Sequence, residues 1–158
     1  MDVTTRLDYF RKEHEDFLRF LEEWERALET TASKNPETVV KGLNRLRELQ
    51  ANLKAIENHC SSEERNVEGS CDEYLDEEKL EQLKKEHMEL RRLVADLFSE
   101  LRFATLYETE QAVATGREVA GFTRRHIQFE EKLLEAIEQK LSEEAEEKLL
   151  LRYTQAPE

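Results

Sequence analysis

The chain has 158 residues, enough for one domain with a proper core; 39% of them are charged and 38% hydrophobic, with only four Gly and two Pro. A net charge of −13 leaves no basic footprint for nucleic acid or for an anionic membrane surface. No apolar run reaches membrane-spanning length, and the N-terminus, MDVTTRLDYF, lacks the basic-then-apolar plan of a signal peptide, so a soluble cytoplasmic protein is expected.

A Leu/Glu/Lys/Arg-rich mixture so poor in turn-formers reads as nearly all helix. The first helix is predicted over about 5–30, opened by a capping box of Thr5 and Asp8 and carried by apolar periodicity to Leu28. Asn35-Pro36-Glu37 starts the second, over about 36–68: a cap, a proline at the first helical position, then an acid that suits the helix dipole. Residues 68–75 are the one stretch long enough for an irregular loop. Asp76 begins the third helix, over about 76–103, and the fourth covers about 108–140. Ser142 is expected to cap a short fifth helix over about 143–153. Short connections make the long helices antiparallel neighbours, hence a single all-α domain over 1–158, an up-down-up-down four-helix bundle with a short C-terminal fifth helix.

The core-facing stripes carry the chemistry. They read Leu7, Phe10, His14, Phe17, Leu21, Trp24 and Leu28 in the first helix, and Leu49, Leu53, Ile56, His59, Glu63 and Val67 in the second. The third gives Leu80, Leu83, His87, Leu90, Val94, Leu97 and Leu101; the fourth gives Val119, Thr123, His126, Glu130, Leu133, Ile137 and Leu141. The chain has four histidines, and each stripe holds one where a leucine would be expected. The second and fourth helices resemble each other weakly and repeat one device, His59-x-x-x-Glu63 and His126-x-x-x-Glu130. Side chains four apart lie one above the other on a helix, so both members of each pair address one level of the core.

A single histidine on an apolar stripe is ordinarily a core residue bonded to a neighbour. Four at once with two carboxylates strain that reading, because every member of a purely structural network needs its own partner. Bound metal answers the need directly, since imidazole nitrogen and carboxylate oxygen are natural ligands. Six donors suffice for one octahedral ion. Two matching halves suit two ions better, with each carboxylate bridging, two imidazoles per ion and a solvent-derived bridge completing about five ligands each. Nitrogen and oxygen donors without thiolate favour iron over a structural zinc site and leave zinc and manganese open.

KEHEDF around His14, NHCSSEE, KEHMEL around His87 and RRHIQFEE carry the ordered set His, His-x-x-x-Glu, His, His-x-x-x-Glu. In this the chain, from about Thr5 to Leu141, resembles the hemerythrin-like, or HHE cation-binding, family; HIQFEEKLLEAIE looks like that family's last core helix. The resemblance implies a non-haem di-iron centre, carboxylate- and oxo- or hydroxo-bridged, held by His14, His59, Glu63, His87, His126 and Glu130. It implies a protein that binds dioxygen or a related diatomic ligand such as nitric oxide, more a metal- and oxygen-binding protein than an enzyme. The alternatives it leaves are a di-iron peroxide or nitric oxide reductase and an iron- or oxygen-responsive regulatory module. A fifth family histidine, one turn beyond that of the third helix, is replaced here by Arg91, which implies a more open centre. By the family's spacings Glu131 stands in reserve for Glu130, and Glu64 for Glu63. The Glu-x-x-His pairs of ferritin-like di-iron bundles are missing, since Arg11, Ile56, Lys84 and Thr123 stand three before the histidines.

Other residues have two readings each. Phe10, Phe17 and Phe129 lie within a turn of proposed ligands, as a water-excluding wall or as ordinary packing. Glu13 and Glu86, each just before a histidine, suit the N–H groups of imidazoles elsewhere in the bundle, although such glutamates are more often solvated. Cys60 follows His59 directly and reads as a small, partly buried residue before a metal or redox role. A Cys60–Cys71 disulfide requires the second helix to end early, since eleven helical residues span about 16 Å. The LLLRY segment, 149–153, closes one end of the bundle or meets a partner.

Overall fold

The structure, a computed structural model, describes residues 2–70 and 72–155. Four helices follow one another: α1 (Val3–Thr31), α2 (Pro36–Ser70), α3 (Glu77–Phe103) and α4 (Glu110–Gln155), with a 3-10 turn at Asp72–Tyr74 between α2 and α3. α1 packs on α2 and α4, and α3 packs on the same two, which places the helices at the corners of a square as an up-down-up-down bundle requires.

The start signals act locally. Asn35 Oδ1 accepts from the Glu37 and Thr38 N–H groups at 3.0 and 3.3 Å, and an Asp76 carboxylate oxygen accepts from the Lys79 N–H at 2.9 Å. At α1 the expected capping box at Thr5 is corrected. Asp2 is the cap, accepting from the Thr5 N–H at 2.8 Å, because a stronger capping residue stands one turn earlier. Arg47 of α2 caps the far end of α3, donating to the Leu101 and Ala104 carbonyls at 3.0 and 2.8 Å.

The separate fifth helix is also corrected. α4 runs unbroken through Ser142 to Gln155, because no Gly or Pro interrupts KLSEEAEEKLLLRY and a serine inside a helix costs only a few tenths of a kcal/mol. The overhang is tied back near its root. Lys140 Nζ donates to the Tyr74 carbonyl at 2.8 Å, and the Tyr74 hydroxyl donates to Glu144 Oε2 at 3.1 Å. Leu149, Leu150, Leu151 and Tyr153 are exposed, so LLLRY closes no end of the bundle. The Val67 side chain and Cys71 lie outside the described residues, and the disulfide reading with them.

The stripes are buried as their spacing requires, and the apolar core divides in two. One cluster is built on Phe17, Leu21, Trp24, Leu46, Leu53, Val94 and Leu97. The other is built on Leu7, Phe10, Leu83, Leu133, Leu134 and Ile137. Between them, at the level of the histidines, lies a polar layer.

Close helix approach depends on Gly42. A Cβ there would meet the Thr31 hydroxyl and stand 2.5 Å from the Thr31 backbone nitrogen and 2.7 Å from its Cα. Gly42→Ala is therefore expected to lower unfolding free energy by about 1–3 kcal/mol in urea titration, despite the gain in helix propensity. At Gly121 a Cβ would meet only Arg125 Nη1, at 3.4 Å, so Gly121→Ala is expected to stabilise by roughly 0.5–1 kcal/mol. Equal signs for the two variants would contradict this packing.

Candidate metal centre

Each of the four helices delivers one buried imidazole to the polar layer. His14, His59, His87 and His126 are 0–3% exposed, and Glu63 and Glu130 are 4% and 2% exposed. The six predicted residues are thus brought to one place. The rings pair by helix: His14 with His59, and His87 with His126, each pair at a 4.9 Å centroid separation. Every Nε2 points inward. Glu130 Oε2 lies 2.7 Å from His14 Nε2 and 3.4 Å from His59 Nε2, while its Oε1 lies 3.3 Å from His87 Nε2 and contacts His126 Nε2. Glu63 spans the same gap from the other side. Its Oε1 contacts His59 Nε2 and stands 3.9 Å from His14 Nε2, and its Oε2 stands 4.0 Å from His87 Nε2.

Every Nδ1 points outward to a different carboxylate. His14 Nδ1 donates to Glu131 at 2.7 Å, His87 Nδ1 to Glu64 at 3.0 Å and His126 Nδ1 to Glu86 at 3.3 Å. His59 Nδ1 stands 3.3 Å from Glu13 as an ion-pair contact without hydrogen-bond geometry. The four contacts obey a twofold rule. The glutamate before His14 serves α2 and the one before His87 serves α4; the glutamate after Glu63 serves α3 and the one after Glu130 serves α1. Such outer carboxylates fix the tautomer that leaves Nε2 free for a cation and raise its basicity.

The profile of the hemerythrin HHE cation binding domain matches residues 5–137. The chain belongs to this family. Among curated proteins and among solved structures, nothing matches it.

For an HHE cation-binding domain the electrostatics are apt. Two inner and four outer carboxylates surround four imidazoles, with Arg91 on Glu64 at 2.9 Å and Arg11 near Glu131 at 3.7 Å as the cations at the rim. Burial pushes the imidazoles down, but the carboxylates outweigh it. Glu130 and Glu63 hold His14 at about 9; Glu13, Glu130 and Glu63 hold His59 at about 12. Cys60 and Glu130 hold His87 at about 10, and with Glu86 they hold His126 at about 12. Glu63 is pushed up by burial and by the neighbouring Glu130 charge; Glu130, facing all four imidazoles, stays well below the usual carboxylate range despite its burial. Protons thus stand in for positive charge that the layer is built to hold.

Protons do not complete the hydrogen bonding. His59 Nδ1, Glu63 Oε1 and His126 Nε2 are buried in ion-pair contacts, with Glu13, His59 and Glu130, that lack hydrogen-bond geometry, and two of these three atoms point into the centre. Buried polar atoms are ordinarily hydrogen-bonded, so a cation at their convergence suits the layer better than these contacts do. The HHE donor set, nitrogen and oxygen atoms from all four helices, fits a metal centre.

Glu13 and Glu86 stand against Nδ1 atoms, one of their two expected readings. Glu64 and Glu131, reserve ligands by spacing, are turned away from the axis. A step of one residue rotates a side chain by about 100° on a helix, which aims each at the neighbouring helix's imidazole instead. Phe10 and Phe17 meet the His59 ring edge-on at 5.5 and 5.1 Å. Phe129 is partly buried against the cluster built on Leu7 and Phe10. Phe122, which sequence reasoning missed, lies nearly parallel to the His126 ring at 6.5 Å; it stands one turn before His126, the signal that could have found it. Arg91 is held outward by Glu64 and Ser61, at 2.9 and 3.2 Å, and places no atom in the centre.

Proposed function

We propose that this domain holds two iron ions in its polar layer and binds dioxygen or a related diatomic ligand there. The observation that supports two ions is the division of Glu130: one oxygen faces His14 and His59, the other faces His87 and His126. His14 and His59 would hold one ion and His87 and His126 the other, with Glu63 and Glu130 shared between the two. Ferrous iron in such a site supplies an open coordination position and the electrons that a diatomic ligand draws on.

The chain's own residues do the rest. The imidazoles anchor through Nε2, and Glu131, Glu13, Glu64 and Glu86 orient them through Nδ1. Phe10 and Phe17 shield the His59 side from water. Arg91, turned to Glu64, leaves that turn of α3 without a competing donor, which favours an open position.

Reconstitution with ferrous iron under nitrogen, followed by metal analysis and absorption spectroscopy, tests the reading. Two irons per chain are expected, with a charge-transfer spectrum that develops in oxygen and reverses when oxygen is removed. Fewer than two irons would refute the paired centre. Two irons with steady consumption of peroxide and no reversible spectrum would replace binding by catalysis. Glu131→Gln, which takes the charge from the His14 Nδ1 partner, is expected to weaken iron affinity by about 10–100-fold while leaving the stoichiometry intact at saturating iron.

A further inference from the structure

The two halves of the centre are not chemically alike. Around His87 and His126 a third donor is present: Cys60, whose sulfur lies within 4.8 Å of a ring nitrogen on each of them. Cys60 is 1% exposed and forms no disulfide among the described residues. It follows His59 on α2, yet it faces the pair from α3 and α4. In the internal repeat the residue that follows His126 is Ile127, also buried and without a donor atom. The sulfur therefore has no counterpart in the other half, where the donors gathered are His14, His59, Glu63 and Glu130. A second observation points into the same space: His126 Nε2 is buried and touches Glu130 Oε1 without forming a hydrogen bond.

We infer that Cys60 is a thiolate ligand to the metal ion on the His87/His126 side, so that the centre pairs an all-nitrogen/oxygen site with a site that also takes sulfur. This rests on the metal centre proposed above and adds to it a difference between the two ions. Binding converts the Cys60 S–H to a metal–sulfur bond, with the proton leaving to solvent and no change of oxidation state. Thiolate suits borderline and soft cations, so the second position selects iron, cobalt or zinc over manganese, magnesium or calcium, while the first is less selective. An isolated buried cysteine beside leucines is ordinarily packing, and Cys60 does belong to the apolar cluster built on Phe17 and Trp24. Two imidazoles converging on the same sulfur distinguish it from that case.

The full chain loaded with cobalt(II), and separately with zinc(II), tests the assignment without reference to activity. Cobalt is expected to produce a thiolate-to-metal charge-transfer band in the near ultraviolet. The band should persist in Cys71→Ala and disappear in Cys60→Ser and Cys60→Ala. Zinc X-ray absorption should show sulfur at about 2.3 Å for a fraction of the metal, lost in the same two variants. Cys60→Ser preserves volume, so circular dichroism and melting separate loss of the ligand from loss of the fold. Two metal ions per chain with no sulfur signature would overturn the Cys60 assignment and leave the paired centre standing. Failure of the chain to take up cobalt or zinc at all would overturn both. A sulfur band that survives Cys60→Ala would equally refute the assignment.

Discussion

Glu130→Ala is expected to abolish binding of both metal ions, not one. The carboxylate contacts or closely approaches the Nε2 atoms of all four histidines, with one oxygen given to each pair. Its loss leaves four buried imidazoles facing one another around Glu63 alone. Breaking a buried charged network by removing one partner costs about 3–5 kcal/mol, so the metal-free variant should also unfold at lower denaturant. Glu130→Gln separates the two effects. It keeps the volume and much of the hydrogen bonding but removes the bridging charge, so the fold should largely recover while metal content stays low. Glu131→Gln, one residue on, should keep both ions at saturation. Metal analysis of the three proteins after identical loading and gel filtration reads the difference. Near-normal metal content in Glu130→Ala would show that the ions, if bound, do not share this carboxylate.

The layer was legible in the sequence for a physical reason. A histidine on a leucine stripe is costly enough to need explaining, and helical periodicity fixes where each stripe faces, so spacing alone turns His14, His59, Glu63, His87, His126 and Glu130 toward the core. Helix starts at Asn35 and Asp76 were equally readable, because a cap acts within one turn. The ends were less so. The capping-box pattern points to Thr5 where Asp2 caps, and a fourth helix ending at about 140 with a cap at Ser142 gives way to the uninterrupted helix formers around it. What spacing conveys poorly is rotation between neighbouring helices. The outward aim of Glu64 and Glu131 and the approach of Cys60 to His87 and His126 depend on which helix lies alongside and at what height. Periodicity on one helix does not contain that information. The two apolar clusters above and below the layer explain why the position of the site is nonetheless so constrained, since sliding one helix by a turn would bury its histidine against leucines.

Metal removal should leave a folded but weaker bundle, and the weakening should grow with pH. The flanking clusters supply a core on both sides of the layer, so the chain does not depend on metal for its architecture. Each ion bound to the folded state alone adds about 4 kcal/mol at a free metal concentration of a thousand times Kd. For a domain of this size that corresponds to a rise in Tm of roughly 8–16 °C per ion. Protons set the pH dependence. In the metal-free layer the surrounding acidic groups push His14 and His87 up to about 9 and 10 and His59 and His126 up to about 12, against an ordinary 6.5 in the unfolded chain. A raised histidine contributes stability that is complete below about 6.5 and is lost as pH climbs through its folded value, so the metal-free form weakens steadily upward from there. Metal binding must expel these same protons, because a ligating imidazole is neutral. Loading at pH 7 should therefore acidify a weakly buffered solution. Raising the pH relieves this competition, so the gap between loaded and chelator-treated Tm should widen between pH 6.5 and 9, measured by thermal melts with and without chelator. A gap that narrows over that window, or loading without proton release, would mean that the metal does not replace protons on these imidazoles.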